Sequence, residues 1–280
     1  MRPDGKRVKN ADPMYIVASY IMDKRVDSMN MITIDIPYEP LHEYINKKRK
    51  EGINISHMAL VIAAYLRALA EYPQLNRFVV NKKIYTRNEV AVGMVVLKSM
   101  DELYGTMSKM YFEKHFTIFD VNDTINKYIN ANREAPENNS TEKLIGILLS
   151  IPGLLNIGVR VFKLMDRYGL LPKAIINASP FHMSVGITNL ASLRTNHIYH
   201  HCYEFGTTSL FMAMGNLREV PKRKGDEITF VRSLPIGVTM DERICSGSYF
   251  AAAFKTMQKY LANPELMETP PQTILEDEDK

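Results

Sequence analysis

The chain has 280 residues and a mass of 32.1 kDa, with 46% apolar and 24% charged residues, which excludes wholesale disorder and leaves room for one large domain or two small ones. Thirty-five Lys and Arg against 31 Asp and Glu leave a net charge of +4, too slight a bias to indicate a nucleic-acid partner without a clustered basic face. Two cysteines, Cys202 and Cys245, cannot build a disulfide framework or a four-thiolate metal site, and their scarcity suits a reducing cytoplasm.

Residues 1–13 are polar and carry Pro3, Gly5 and Pro13, so they read as an extended arm rather than a packed element. The start is basic but no apolar core or small-residue cleavage site follows it, which speaks against secretion. Met14 to Met22 is a mixed apolar stretch. Met31 to Ile36 is β-branched with partial alternation and predicts a strand that Pro37 and Pro40 end. Leu41 to Lys50 has the spacing of a one-faced surface helix, stopped by Gly52. Ser56 caps a second helix, His57 to Glu71, which is apolar on nearly all sides and therefore expected to be buried.

Pro73 to Asn76 reads as a turn, Arg77–Val80 and Ile84–Thr86 as a hairpin, and Val90–Leu97 as a buried strand. A long helix is expected over Phe112–Asn132, then a loop over 133–140. The apolar stretch 144–159 is short for a membrane span and is interrupted by Pro152 and Gly153, so buried or interface helices are the expectation there and membrane contact is not. Phe181–Leu190, Ser209–Met214, Asp226–Val231 and Leu234–Met240 predict four further strands. The helix Tyr249–Leu261 follows, with Phe250, Ala253, Phe254, Met257 and Leu261 on one face. Residues 266–280 end in an acidic run and read as a solvated tail. The mixture of strands and helices lacks strict alternation and predicts an α/β fold with a mixed sheet over a single domain, 14–265.

The usual entry points to chemistry are missing. No glycine-rich dinucleotide or phosphate loop, zinc-protease helix or serine-hydrolase elbow occurs. His197, His200 and His201 lie close in sequence, but no neighbouring carboxylate pair completes a ligand set, so no metal is expected. Cys245 has Asp241 and Glu242 just before it, and negative neighbours disfavour a thiolate. The informative segment is Leu234 to Tyr249, where a strand runs through a polar turn into an amphipathic helix. Such turns display reactive groups on a rigid base.

Val238-Thr-Met-Asp-Glu-Arg-Ile-Cys-Ser-Gly247, followed by a helix and Tyr260-Leu-Ala-Asn-Pro-Glu-Leu266, resembles the C-terminal signature of the acyltransferase core of 2-oxo-acid dehydrogenase complexes, shared with chloramphenicol acetyltransferase. Two more stretches resemble the family in the right order: Glu71-Tyr-Pro-Gln-Leu-Asn76 with the hairpin and Val90-Ala-Val-Gly93, then Ser184-Val-Gly-Ile-Thr-Asn-Leu190. The resemblance implies a two-layer α/β sandwich and a homotrimer with active sites between subunits. It also implies a channel in which coenzyme A and a second substrate meet.

In the family the turn reads Asp-His-Arg-x-x-Asp-Gly. Its histidine is the general base, and its second aspartate pairs with an arginine to hold the loop. Here Glu242 stands at the histidine position and Ser246 at the aspartate position, while Arg243 and Gly247 are kept. A free Glu has a pKa of about 4.3 against about 8.5 for a thiol, so Glu242 can serve as base only where burial raises it, and an ion pair with Arg243 would oppose that. Thr188 matches the family hydroxyl that donates to the tetrahedral oxyanion. His57 and His182 are the fallback bases. Two functions follow as expectations: a cytoplasmic coenzyme-A-dependent acyltransferase of unspecified acyl group and acceptor, or a catalytically inactive trimeric binding or scaffold protein that keeps the fold.

Overall fold

The computed structural model describes residues 2–97, 105–134, 146, 150 and 153–277. In chain order the strands are β1 (Gly5–Arg7), β2 (Met29–Pro37), β3 (Arg77–Val80), β4 (Lys83–Arg87), β5 (Val90–Leu97), β6 (Gly105–Phe112), β7 (Val185–Asn189), β8 (Leu210–Met214), β9 (Arg218–Lys224) and β10 (Glu227–Asp241). The helices are α1 (Pro13–Ile21), α2 (Tyr38–Lys50), α3 (His57–Glu71), α4 (Ile118–Glu134), α5 (Leu154–Tyr168), α6 (Lys173–Ala178) and α7 (Gly247–Ala262).

The main sheet runs β2-β10-β8-β7-β5-β6, with β9 paired to β10. Contacts of β7 with β5 and with β8 are parallel and the rest are antiparallel, so the sheet is mixed as expected. Alternate residues of the strands (Ile34 and Ile36, Ile236 and Val238, Met212 and Met214, Val90 and Val92) enter one core with α3, whose residues 58–70 are all buried. Strand periodicity turns these alternate side chains to one face, and the helices cover that face. Ser56 caps α3, its Oγ accepting from the Ala59 N–H at 3.0 Å. A second, smaller sheet, β1-β4-β3, lies beside it. Its hairpin turns through Asn81 (φ 49°) and Lys82 (φ 60°), the positive pair that a two-residue turn between twisted strands needs.

Several sequence expectations change. The described part of the 1–13 arm, from Arg2, is packed. Gly5–Arg7 adds a strand to β4, and Arg2 is buried against Asp4 (2.9 Å) and Asp166 (2.6 Å), because a guanidinium taken out of water needs those carboxylates. Residues 268–277 likewise lie against the body, with the Asp277 carboxylate buried on Arg77. The two strands expected over 226–240 are one 15-residue strand, since Arg232 and Ser233 continue the ladder with β9 instead of breaking it. The helix expected from Phe112 starts at Ile118, because Phe112 ends β6. Met14–Met22 is mostly the helix α1, capped by Asp12. Of the loop expected over 133–140, the first two residues end α4 instead, and the remainder, like most of 144–152, lies outside the described residues; among those described, no helix is long and apolar enough to cross a membrane.

Candidate functional site

The motif turn is held by Asp241. Its fully buried carboxylate takes Arg243 in a two-pronged pair, Nε at 2.8 Å and Nη2 at 2.7 Å, and accepts the Arg243 N–H and the Ser28 hydroxyl at 3.1 and 3.0 Å. Arg25 approaches the same carboxylate at 3.9 Å. Arg243 also donates Nη1 to the Met22 carbonyl at 2.9 Å, tying the turn to the end of α1. Such planar forks are the strong form of the interaction, and burial removes competing water.

This arrangement decides where Glu242 goes. Arg243 is taken by the residue before Glu242, so the expected rival ion pair does not form. The half-buried Glu242 carboxylate accepts from the Asn30 amide at 2.5 Å, and its backbone N–H donates to the Ser28 carbonyl at 2.9 Å. Asn30 is 212 residues away in sequence and neutral, so it orients the carboxylate without neutralising it. Nothing local in the sequence marks it. Asp241, in contrast, was visible as the first residue of the motif, and its role as the loop-holding carboxylate replaces the one the family gives to the position of Ser246.

Ser246 instead caps α7, its Oγ accepting from the Tyr249 N–H at 3.0 Å, and Gly247 opens that helix. The Tyr249 hydroxyl accepts from the Gln74 N–H at 3.2 Å, so the turn after α3 meets the helix after β10. Ser184 exchanges bonds with Ala91, its N–H donating to the carbonyl at 2.7 Å and its Oγ accepting the amide at 3.0 Å. The stretches that carry the resemblance are therefore stitched together in space.

Thr188, half-buried on β7, is not brought to Glu242 within the chain. It pairs with Ala213 on β8, which pairs with Gly237 on β10. Glu242 lies five residues further along and two strands across, a separation on the order of 19 Å. The row continues to Thr33 on β2, whose Oγ1 meets His197 Nε2 at 3.0 Å and the Tyr199 hydroxyl. Gly237 makes this possible: a Cβ there would lie 2.3 Å from the Ile198 carbonyl oxygen. Residues 197–199 thus lie over the sheet face opposite the helices.

The fallback histidines are elsewhere. His57 opens α3 and stacks on Tyr38 at 5.6 Å, and burial, then the nearby His42, push its pKa below the usual histidine value. His182 is buried between Ser179, 2.8 Å from Nδ1, and Asp166, 3.3 Å from Nε2. Burial works against the Asp166 carboxylate, yet His182 and Arg2 hold it down at about 2. Cys202 and Cys245 are buried, and burial is the chief cause that pushes both thiols up, Cys202 to about 12. Among the described residues no cluster of His, Cys, Asp and Glu could hold a metal.

The fold is that of the two-layer acyltransferases that include chloramphenicol acetyltransferase, which superposes over 92% of this chain and 99% of its own at a TM-score of 0.54 and 12% identity. A probable dihydrolipoamide acetyltransferase from Listeria monocytogenes 4b F2365 superposes over 88% of this chain and 91% of its own, with a TM-score of 0.56 and 14% identity. In sequence, the chain is 24% identical over 247 residues to the dihydrolipoyllysine-residue acetyltransferase component of the acetoin cleaving system of Bacillus subtilis (strain 168). That match covers 88% of this chain and spans about half the length of the relative, 50%. No protein-family model matches the chain.

Proposed function

We propose that the chain is a coenzyme-A-dependent acyltransferase that works as a homotrimer, with Glu242 of one copy and Thr188 of the next completing each site. The observation that carries this reading is the pairing of Arg243 with Asp241, which leaves Glu242 bonded to a neutral amide and free to take a proton. The separation of Glu242 and Thr188 within one chain supports a site shared between copies, the arrangement that the resemblance implies.

The chemistry follows from those two groups. Glu242 accepts the proton of the attacking acceptor, a thiol, hydroxyl or amine, as the nucleophile adds to the thioester carbonyl. The Thr188 hydroxyl donates to the resulting oxyanion, a contact worth a few kcal/mol of barrier in comparable sites. Collapse expels the thiolate of coenzyme A, and the proton held by Glu242 returns to it. This proton transfer needs a site from which water is excluded, which a channel between copies would supply.

Glu242→Gln keeps the shape and the Asn30 contact but removes the base. Turnover of acyl-coenzyme A by this variant is expected to fall at least a hundredfold with the oligomer intact by light scattering. Unchanged turnover would remove Glu242 from the mechanism. A wild-type chain that neither turns over nor is stabilised by acyl thioesters would give the function to the inactive binding or scaffold alternative.

A further inference from the structure

Residues 268–277 lie beyond the stretch that resembles the acyltransferases, and polar contacts lay them across the surface. The Thr269 carbonyl accepts from Arg67, the Leu275 N–H donates to the Ala70 carbonyl at 2.7 Å, and Lys114 meets Glu276 at 3.0 Å. Arg77 grips Asp277 with Nε at 2.7 Å and Nη2 at 2.6 Å. The distribution of exposure in this strap is inverted. The Asp277 side chain is 6% exposed, while Ile274 and Leu275 are 39% and 48% exposed. A permanently packed segment would hide its apolar side chains; this one hides a carboxylate, so its acidic part is held by charge.

Glu276 and Asp277 form one wall of a cavity of about 590 Å³ whose lining also includes Lys6, Arg87, Lys114, Asn76 and Asn88. Arg87 is buried and gives Nη2 to the Thr207 carbonyl and hydroxyl, both at 2.8 Å, but its Nε has no partner. Burial pushes its pKa down to about 10, and Asp4 acts on it only from a distance. Without Glu276 and Asp277 the cations of the cleft wall would be Lys6, Arg87 and Lys114, with the buried Arg77 released from Asp277.

We propose that this cleft is a binding site for a diphosphate-bearing small molecule, and that Glu276 and Asp277 form a displaceable acidic wall that holds its cations in cis until the ligand binds. A guanidinium fork that grips a carboxylate through two parallel bonds grips a phosphate in the same way. The volume suits a nucleotide-sized ligand. The inference does not depend on acyl transfer, because binding is read without turnover.

Inorganic pyrophosphate is the probe. Calorimetric titration of the full chain and of the Glu276→Gln, Asp277→Gln double variant is expected to show at least tenfold tighter binding to the variant, and adding Lys114→Gln to that variant should reverse the gain. In the unaltered chain, saturating pyrophosphate should speed hydrogen exchange of the Leu275 amide, which now donates to Ala70. Equal affinities in the first experiment, or an unmoved Leu275 amide in the second, would overturn the proposal, and the second test stands even if the double variant does not fold.

Discussion

At the scale of single residues, the turn after β10 is a case of two neighbouring acids with divided labour. Asp241 is fully buried and spent on Arg243, Ser28 and the backbone; Glu242 points to Asn30. Asp241→Asn removes the charge that balances a buried guanidinium, and breaking one side of such a pair costs about 3–5 kcal/mol. Urea unfolding should show that loss, whereas Glu242→Gln should change stability by less than about 1 kcal/mol. A result in which the two variants are equally destabilised would reverse the assignment of structural and chemical acid. The sequence made Asp241, Glu242 and Arg243 visible as a motif. It could not say which acid the arginine would take, because that depends on the side-chain directions at the end of the strand and on Ser28, which arrives from another element.

At the scale of elements, legibility followed the strength of the local pattern. The helix α3 was plain because thirteen consecutive buried residues leave no polar face, and a serine cap starts it. The hairpin β3–β4 was plain because the Asn81–Lys82 turn follows and precedes β-branched residues. By contrast, β9 went unread: Arg-Glu-Val-Pro-Lys-Arg-Lys is charged and holds a proline, and only its partner β10 makes it a strand. β6 has only weak alternation of polar and apolar residues, and its last residue, Phe112, fits the helical pattern that follows equally well. Residues 197–199 depend on Gly237 in a way no periodicity reveals. Gly237→Ala would place a methyl 2.3 Å from the Ile198 carbonyl oxygen, within backbone rather than a side chain that can swing away. That variant is expected to lose about 1–3 kcal/mol and to release the His197–Thr33 contact, visible as a shift of the His197 ring resonances. Unchanged resonances would mean that the loop lies elsewhere.

At the scale of the whole molecule, the register of the sheet makes a prediction about assembly. If Glu242 and Thr188 act from different copies, Glu242→Gln and Thr188→Val proteins, each inactive alone, should complement each other. After mixing under conditions that exchange subunits, about a quarter of the sites in a cyclic trimer would receive both intact groups. Recovered turnover near that fraction supports a shared site, and none would place the whole reaction inside one protomer. The core fold was legible at this scale through the resemblance of three stretches in order. Residues 2–13 and 268–277 were not, because their packing rests on the distant salt bridges Arg2–Asp166 and Arg77–Asp277, which leave no mark on local composition.

The long strand β10 has a consequence for how copies can meet. Its first half, from Glu227 to Arg232, outruns β2 and is matched only by β9, so it projects as a two-stranded tongue with Ile228 and Phe230 each 66% exposed. A bare ribbon of that kind invites cross-β stacking into fibrils. Pro221, which has no amide hydrogen to offer, and the cations Lys222 and Arg223 spoil the outer rim for any further strand. The outer rim of the tongue is thereby closed to a further strand, while Ile228 and Phe230 stay exposed on its faces.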